Sequence, residues 1–275
     1  MTSTLEKPKT AATTSAPVPA ARRRRRFNRK LVTSWVAVAV LLAIWQIAPD
    51  AGWVDKTFLP PLSSVLDAWW QLVQNGELWI DIQASLQRSL TGFGIALLIG
   101  VPLGLLIGWY PLVAELLSPV LVIFLNTAAI ALLPVFTLIM GIGETSKVAI
   151  ILYASIWPIL YNTISGVRNV DPLLIKSARS LGLSHVRLFQ KVILPASIPT
   201  IFTGVRLGGA ASILVLITTE MVGAKAGLGY LILNSQYNFQ IPQMYAGILT
   251  VSAIGVAFNY LLLTLERRFS TWRSA

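Results

Sequence analysis

Six stretches of this sequence are almost empty of charge, and they constrain the fold more than anything else in it. They run from Leu31 to Ala48, Gly92 to Ala114, Leu116 to Gly143, Val148 to Val167, Val192 to Glu220 with Arg206 inside, and Met244 to Leu265. A helix crosses a hydrocarbon core of about 30 Å with about 20 mainly apolar residues. The 275-residue chain is 55% hydrophobic and 12% charged, so it carries more apolar surface than a soluble domain can bury. Lipid must be its solvent. Because lipid offers no partner to backbone N–H and C=O groups, each stretch is predicted helical despite its Ile and Val content. The ten-residue alternating segments of a membrane barrel are missing. The expected fold is an all-α integral membrane protein of about six transmembrane helices, near 31–48, 84–108, 113–140, 147–167, 196–220 and 244–265.

Net charge is +11, with Arg22–Arg26, Arg29 and Lys30 packed into one run. Such a run can bind nucleic-acid phosphates. Placed directly before an apolar span, it instead holds that end in the cytoplasm and attracts anionic lipid. Its position favours the second reading, so membrane lipids are an expected partner and nucleic acid is not. A cleaved leader would have an apolar region of about 7–15 residues, shorter than Leu31–Ala48. Residues 1–21 lack any apolar period. The chain therefore divides into a disordered basic cytoplasmic tail, 1–30, and a transmembrane domain, 31–275. With no cysteine, disulfides and thiolate metal sites are excluded. His185, the only histidine, reads as a solvated loop residue.

With the basic end inside, six spans put 49–82 outside and 168–191 inside. The first carries Asp50, Asp55, Asp67, Glu77 and Asp81 against Lys56. The second carries Arg168, Lys176, Arg179, Arg187 and Lys191 against Asp171, and the C-terminal tail adds Arg267, Arg268 and Arg273. Positive charge collects on one predicted side, as cytoplasmic segments require. In the outer segment, Pro60-Pro61 precedes Leu62, Val65, Leu66, Trp69, Trp70 and Val73, the pattern of an interfacial amphipathic helix.

Small residues recur every four positions at Gly92, Ala96, Gly100, Gly104 and Gly108, and again at Gly204, Gly208 and Ser212. Such rows allow close helix approach, either within the chain or at a subunit interface. Polar residues in lipid must face protein or water. Asn126, Thr127, Asn162, Ser212, Thr218 and Glu220 are therefore the candidates for a translocation path. Glu220 has a second reading, an ion pair with Lys225 at the span end. Arg206 can either snorkel to the interface or contact a substrate anion.

The segment 168–195 is polar and too long for a simple turn. Asp171 suits a helix cap, Pro172 the first helical position, and Gly182 the left-handed residue past the end. Ser184 suits the cap of a second short helix that Pro195 bends or ends. Leu173, Leu174, Ala178 and Leu181 give the first helix an apolar side that no span obviously covers, as a docking surface would have.

Lys176-Ser177-Ala178, Gly182, and then Val192-Ile193-Leu194-Pro195 together resemble the "EAA, glycine, I-x-L-P" loop of binding-protein-dependent (ABC) importer permeases, with Lys176 in place of the acidic first residue. Phe58-Leu59-Pro60-Pro61, Ser85-Leu86-x-Arg88, Gly100-x-Pro102-Leu103-Gly104, Leu133-Pro134 and Gly141–Lys147 look like the nitrate, sulfonate and taurine subgroup. The resemblance implies a type I importer permease fold in a bacterial inner membrane, with both termini cytoplasmic and coupling helices over about 171–194. It further implies that Lys176, Ser177, Ala178, Arg179, Gly182, Leu194 and Pro195 meet a cytoplasmic ATPase. An extracytoplasmic solute-binding protein and a second permease copy are the other implied partners. No G-x-x-x-x-G-K-[ST] sequence is present, so ATP and Mg²⁺ are expected on the ATPase, and this chain is expected to bind no cofactor and catalyse no reaction. The competing reading is an ion-coupled carrier needing no ATPase, for which the chain offers no clear inverted repeat and at most one intramembrane acid.

Overall fold

The computed structural model describes residues 36–269. The expected tail 1–30, its arginine run, the first residues of the first span and Arg273 lie outside them. Among the described residues the chain is helical, without strands. In order come α1 (Val36–Asp50), α2 (Leu62–Gln74), α3 (Glu77–Trp109), α4 (Pro111–Leu125), α5 (Leu133–Met140) and α6 (Glu144–Arg168). Then follow α7 (Pro172–Ser180), α8 (His185–Leu188), α9 (Leu194–Glu220), α10 (Leu228–Tyr237) and α11 (Ile241–Phe269).

Four helices are long and apolar enough to cross a membrane: Glu77–Trp109, Glu144–Arg168, His185–Glu220 and Ile241–Arg268. A fifth crossing is formed if α4 and the stretch Ala129–Met140, which meet at 84°, count as one span. The sequence leads one to expect a continuous helix over 113–140, but the chain breaks at Asn126–Ala128. Two local causes act together. Asn126 Nδ2 and Thr127 Oγ1 donate back to the carbonyls of Val122 and Ile123 at 2.7 and 2.9 Å, competing with helix propagation. Pro134 lacks the N–H that a continuing helix would need, and its ring crowds the carbonyl four residues back.

A second difference lies at Pro195. The expected helix after Ser184 does start there, as α8, but Pro195 does not end it. A four-residue turn, His185–Leu188, runs through a π turn, Phe189–Ile193, directly into α9. The resulting rod, His185–Glu220, is 36 residues long. Pro195 falls in the first turn of α9, where the widened π turn has already shifted the hydrogen-bond register and no donor is missed.

α3, α6 and α9 form the core, packed side by side. The glycine rows decide how close they come, and the partners are within the chain. A Cβ built on Gly104 would lie 2.6 Å from Thr163 Cβ, one on Gly108 2.8 Å from Val167 Cβ, and one on Gly204 2.6 Å from Asn162 Cβ. At Gly208 the obstacle is the backbone oxygen of Ser155, at 2.8 Å, which no rotamer change can remove. Gly208→Val is therefore expected to push α9 from α6 and destabilise the protein by about 1–3 kcal/mol. A lowered thermal midpoint of the detergent-purified variant checks this.

α2 lies across α11. It buries Val65, Ala68 and Leu72, and Trp69 Nε1 donates to Thr250 Oγ1 of α11 at 3.1 Å. Leu66 and Trp70 stay exposed on its other side. Since the helices alternate in direction, the ends of α3 and α6 at Trp109 and Arg168 share one face of the bundle with α7 and α8. The starts of α6 and α10 and the end of α9 gather at the other.

Candidate functional site

Two constructions stand out, one at each end of the bundle. The first is α7 and its flanks. Asp171 caps the helix by accepting from Leu173 N at 2.8 Å, and Pro172 occupies the first turn. At the other end Gly182 sits at φ +74°, its N–H donating to Arg179 O at 2.9 Å while Leu183 N donates to Ala178 O at 3.2 Å. Those two bonds make a Schellman stop, which requires the left-handed glycine. Lys176, Ser177, Arg179 and Gly182 are exposed, as are Leu173, Leu174, Leu181 and Val186.

Ala178 departs from the expected exposed apolar side. It is buried against Val167, Val170, Leu188 and Ile193, because its methyl group is small enough to let α7 lie flat on the base of the bundle. Leu194 is half-buried and Pro195 exposed at the start of α9. His185 also differs from a free loop residue: its ring lies 4.4 Å from that of Trp109, the last residue of α3, and Phe189 adds a contact at 5.1 Å. The exposed knob is thus tied to the ends of α3, α6 and α9.

At the opposite end a charged network is sealed into the core. Glu220, its side chain fully buried, accepts from Arg88 Nη1 at 2.7 Å, from Ser85 Oγ at 2.8 Å and from Gly229 N at 2.9 Å. Arg88 Nη1 also donates to Ala226 O at 2.7 Å. Its remaining edge, Nε and Nη2, is held by both oxygens of Glu144, the Nη2 contact being 2.8 Å. Asp81 accepts from Gly227 N at 2.7 Å, and Ser85 Oγ accepts from Leu228 N at 2.8 Å. Lys147 Nζ reaches the carbonyls of Gly143 and Gly223 at 3.3 and 3.5 Å. α3, α6, α9 and the start of α10 are fastened together here.

The polar candidates read from the sequence are therefore dispersed. Glu220 pairs with Arg88 and not with Lys225. Ser212 is buried beside Ser89, their hydroxyls 3.2 Å apart. Asn162 bonds Pro158 O within its own helix and packs on Gly204, while Thr218 bonds Leu214 O. Asn126 and Thr127 stand together at the break after α4. Arg206, about one-third exposed, forms an ion pair with Glu266 of α11 at 3.3 Å, a partner that neither reading named. Arg88, Glu144, Lys147 and Asp81 were absent from the expected set. Their signal was a lone arginine in the interior of what is one continuous 33-residue helix.

Residues 100–271 match the family model described as "Binding-protein-dependent transport system inner membrane component". The taurine transport system permease protein TauC of Escherichia coli (strain K12) is 31% identical over 90% of this chain and 91% of its own length. The nitrate import permease protein NrtB of Synechocystis sp. is 30% identical over 87% and 90%. A chain of the MetNI methionine ABC transporter, solved in inward-facing conformations, superposes with a TM-score of 0.61 at 19% identity, covering 73% of this chain and 96% of that one.

Proposed function

This chain belongs to the family of binding-protein-dependent transport system inner membrane components, and from that premise we infer that it is the membrane-spanning permease of an ATP-driven importer for a small anion of the sulfonate, taurine or nitrate kind. The observation that carries this reading is the exposed, doubly capped α7, whose apolar and basic side chains face away from the bundle while Ala178 anchors its other side.

In this reading α7 lies in the cytoplasm and docks on a separate ATPase, which binds ATP and Mg²⁺. Lys176, Ser177, Arg179 and Gly182 meet that subunit, while Ala178, Leu194 and Pro195 transmit the contact to the bundle. An extracytoplasmic binding protein delivers solute to the opposite face, and a second copy of this chain completes the path. Closure of the ATPases pushes α7, and the bundle switches its open side. Support for a path along the α4–α5 region comes from the break at Asn126–Ala128. Irregular backbone at membrane depth is tolerated only where it meets protein or water. The break is also close to halfway between Pro111 and Met140.

Reconstitution tests the reading. The affinity-purified permease is expected to bring down an ATPase, and proteoliposomes holding the complex with its binding protein are expected to take up solute only while ATP is hydrolysed. Undiminished uptake with hydrolysis blocked would overturn the reading, and a dependence of that uptake on an ion gradient would establish an ion-coupled carrier.

A further inference from the structure

Arg88 is an unusual arginine because its two sides meet very different surroundings. One side is committed to the protein interior: Nη1 is shared between the buried Glu220 carboxylate and the Ala226 carbonyl. That fixes the plane of the guanidinium. The other edge, Nε and Nη2, is closed only by Glu144, whose side chain is 64% exposed while that of Arg88 is 7% exposed. A rigid two-donor fork thus points outward and is capped by a movable carboxylate on the first residue of α6.

A groove of about 280 Å³ opens beside this pair, with Gln87 and Thr91 among its polar walls and Ala84 and Val148 among its apolar ones. Its size suits a small solute better than a drug-sized one. Gln87 and Thr91 lie on the exposed side of α3, in the first two turns of the span expected from about residue 84. Polar side chains within a span tend to meet protein or water, and both of these line the groove.

We propose that the open edge of Arg88 is an oxyanion subsite of the transport path, and that Glu144 occupies it when no solute is bound. The proposal rests on the small-anion permease reading and deepens it. Two parallel N–H donors match any group with two oxygens on one edge, so nitrate, a sulfonate and a carboxylate are interchangeable partners. Replacing the Glu144 carboxylate by a solute oxyanion exchanges like for like, leaving the charge balance at the buried Arg88–Glu220 pair unchanged. The displaced Glu144 swings toward solvent at the start of α6, where the helix dipole favours a negative charge. Lys147, one turn further along, supplies a fixed cation beside the exchange.

Fluorine NMR saturation transfer with trifluoromethanesulfonate as the probe, on the permease–ATPase complex without binding protein, tests this directly. Glu144→Gln removes the anionic competitor while keeping its shape, and is expected to tighten probe binding about tenfold. Arg88→Lys keeps the charge without the fork and is expected to weaken it. Neutral trifluoroethanol should not distinguish the three proteins. Probe binding by Glu144→Gln that is no tighter than that of the unaltered complex overturns the subsite, even if Arg88→Lys fails to fold. ATP-driven uptake that survives such a result leaves the permease reading intact. Uptake indifferent to ATP removes that reading whatever the probe does.

Discussion

Gly182→Val is expected to leave ATP hydrolysis running while ATP-driven uptake falls by about tenfold or more. The stop of α7 places residue 182 at φ +74°, where glycine has no rival but asparagine. An L-residue in that region costs about 1–2 kcal/mol, and a β-branched one more. Each 1.4 kcal/mol shifts the population of the correctly ended helix tenfold. Valine would thus unwind the bonds from Gly182 N and Leu183 N, and α7 would no longer hold its exposed residues in a fixed arrangement. Nothing fills the space beside the glycine, so crowding is no part of the effect. Gly182→Asn serves as the control and should keep most uptake. Measuring ATPase and uptake rates in the same proteoliposomes checks both, and uptake at the unaltered rate in the valine variant would sink the role given to α7.

The second large effect is on stability. Glu220→Ala is expected to cost about 3–5 kcal/mol, because it strands the buried Arg88 charge on its inner side. It also takes the acceptor from Ser85 Oγ and Gly229 N. The double replacement Arg88→Met with Glu220→Met removes both charges and should be closer to the unaltered protein than either single replacement. Unfolding midpoints in detergent measure all five proteins: the parent, Glu220→Ala, the two single Met replacements and the double. A Glu220→Ala midpoint equal to that of the parent would mean that the network contributes nothing to the bundle.

Much of this architecture was legible in the residues. Charge-free stretches betrayed the membrane helices because lipid leaves the backbone no alternative to a helix. The α7 hairpin was legible because Asp171, Pro172 and Gly182 each act on the backbone within a turn of themselves. What stayed hidden depended on distant partners. Arg88 and Glu144 fell just outside the charge-free windows, which drew attention to the apolar interior and away from its edges. Glu220 was visible as an anomaly, but its partner is 132 positions away in sequence and no local pattern names it. The run from His185 into α9 was misjudged because Pro195 breaks an ordinary α-helix, whereas a π turn before it moves the offending carbonyl aside.

That uninterrupted run has a mechanical corollary. At about 1.5 Å per residue, 36 residues make a strut of roughly 54 Å, with the aromatic pair Trp109–His185 at its foot and the Glu220 carboxylate at its head. Its π turn and Pro199 are the two places where such a strut can flex. Displacement at the foot that these places do not absorb reaches the Glu220 end, to which the Arg88 fork is bonded.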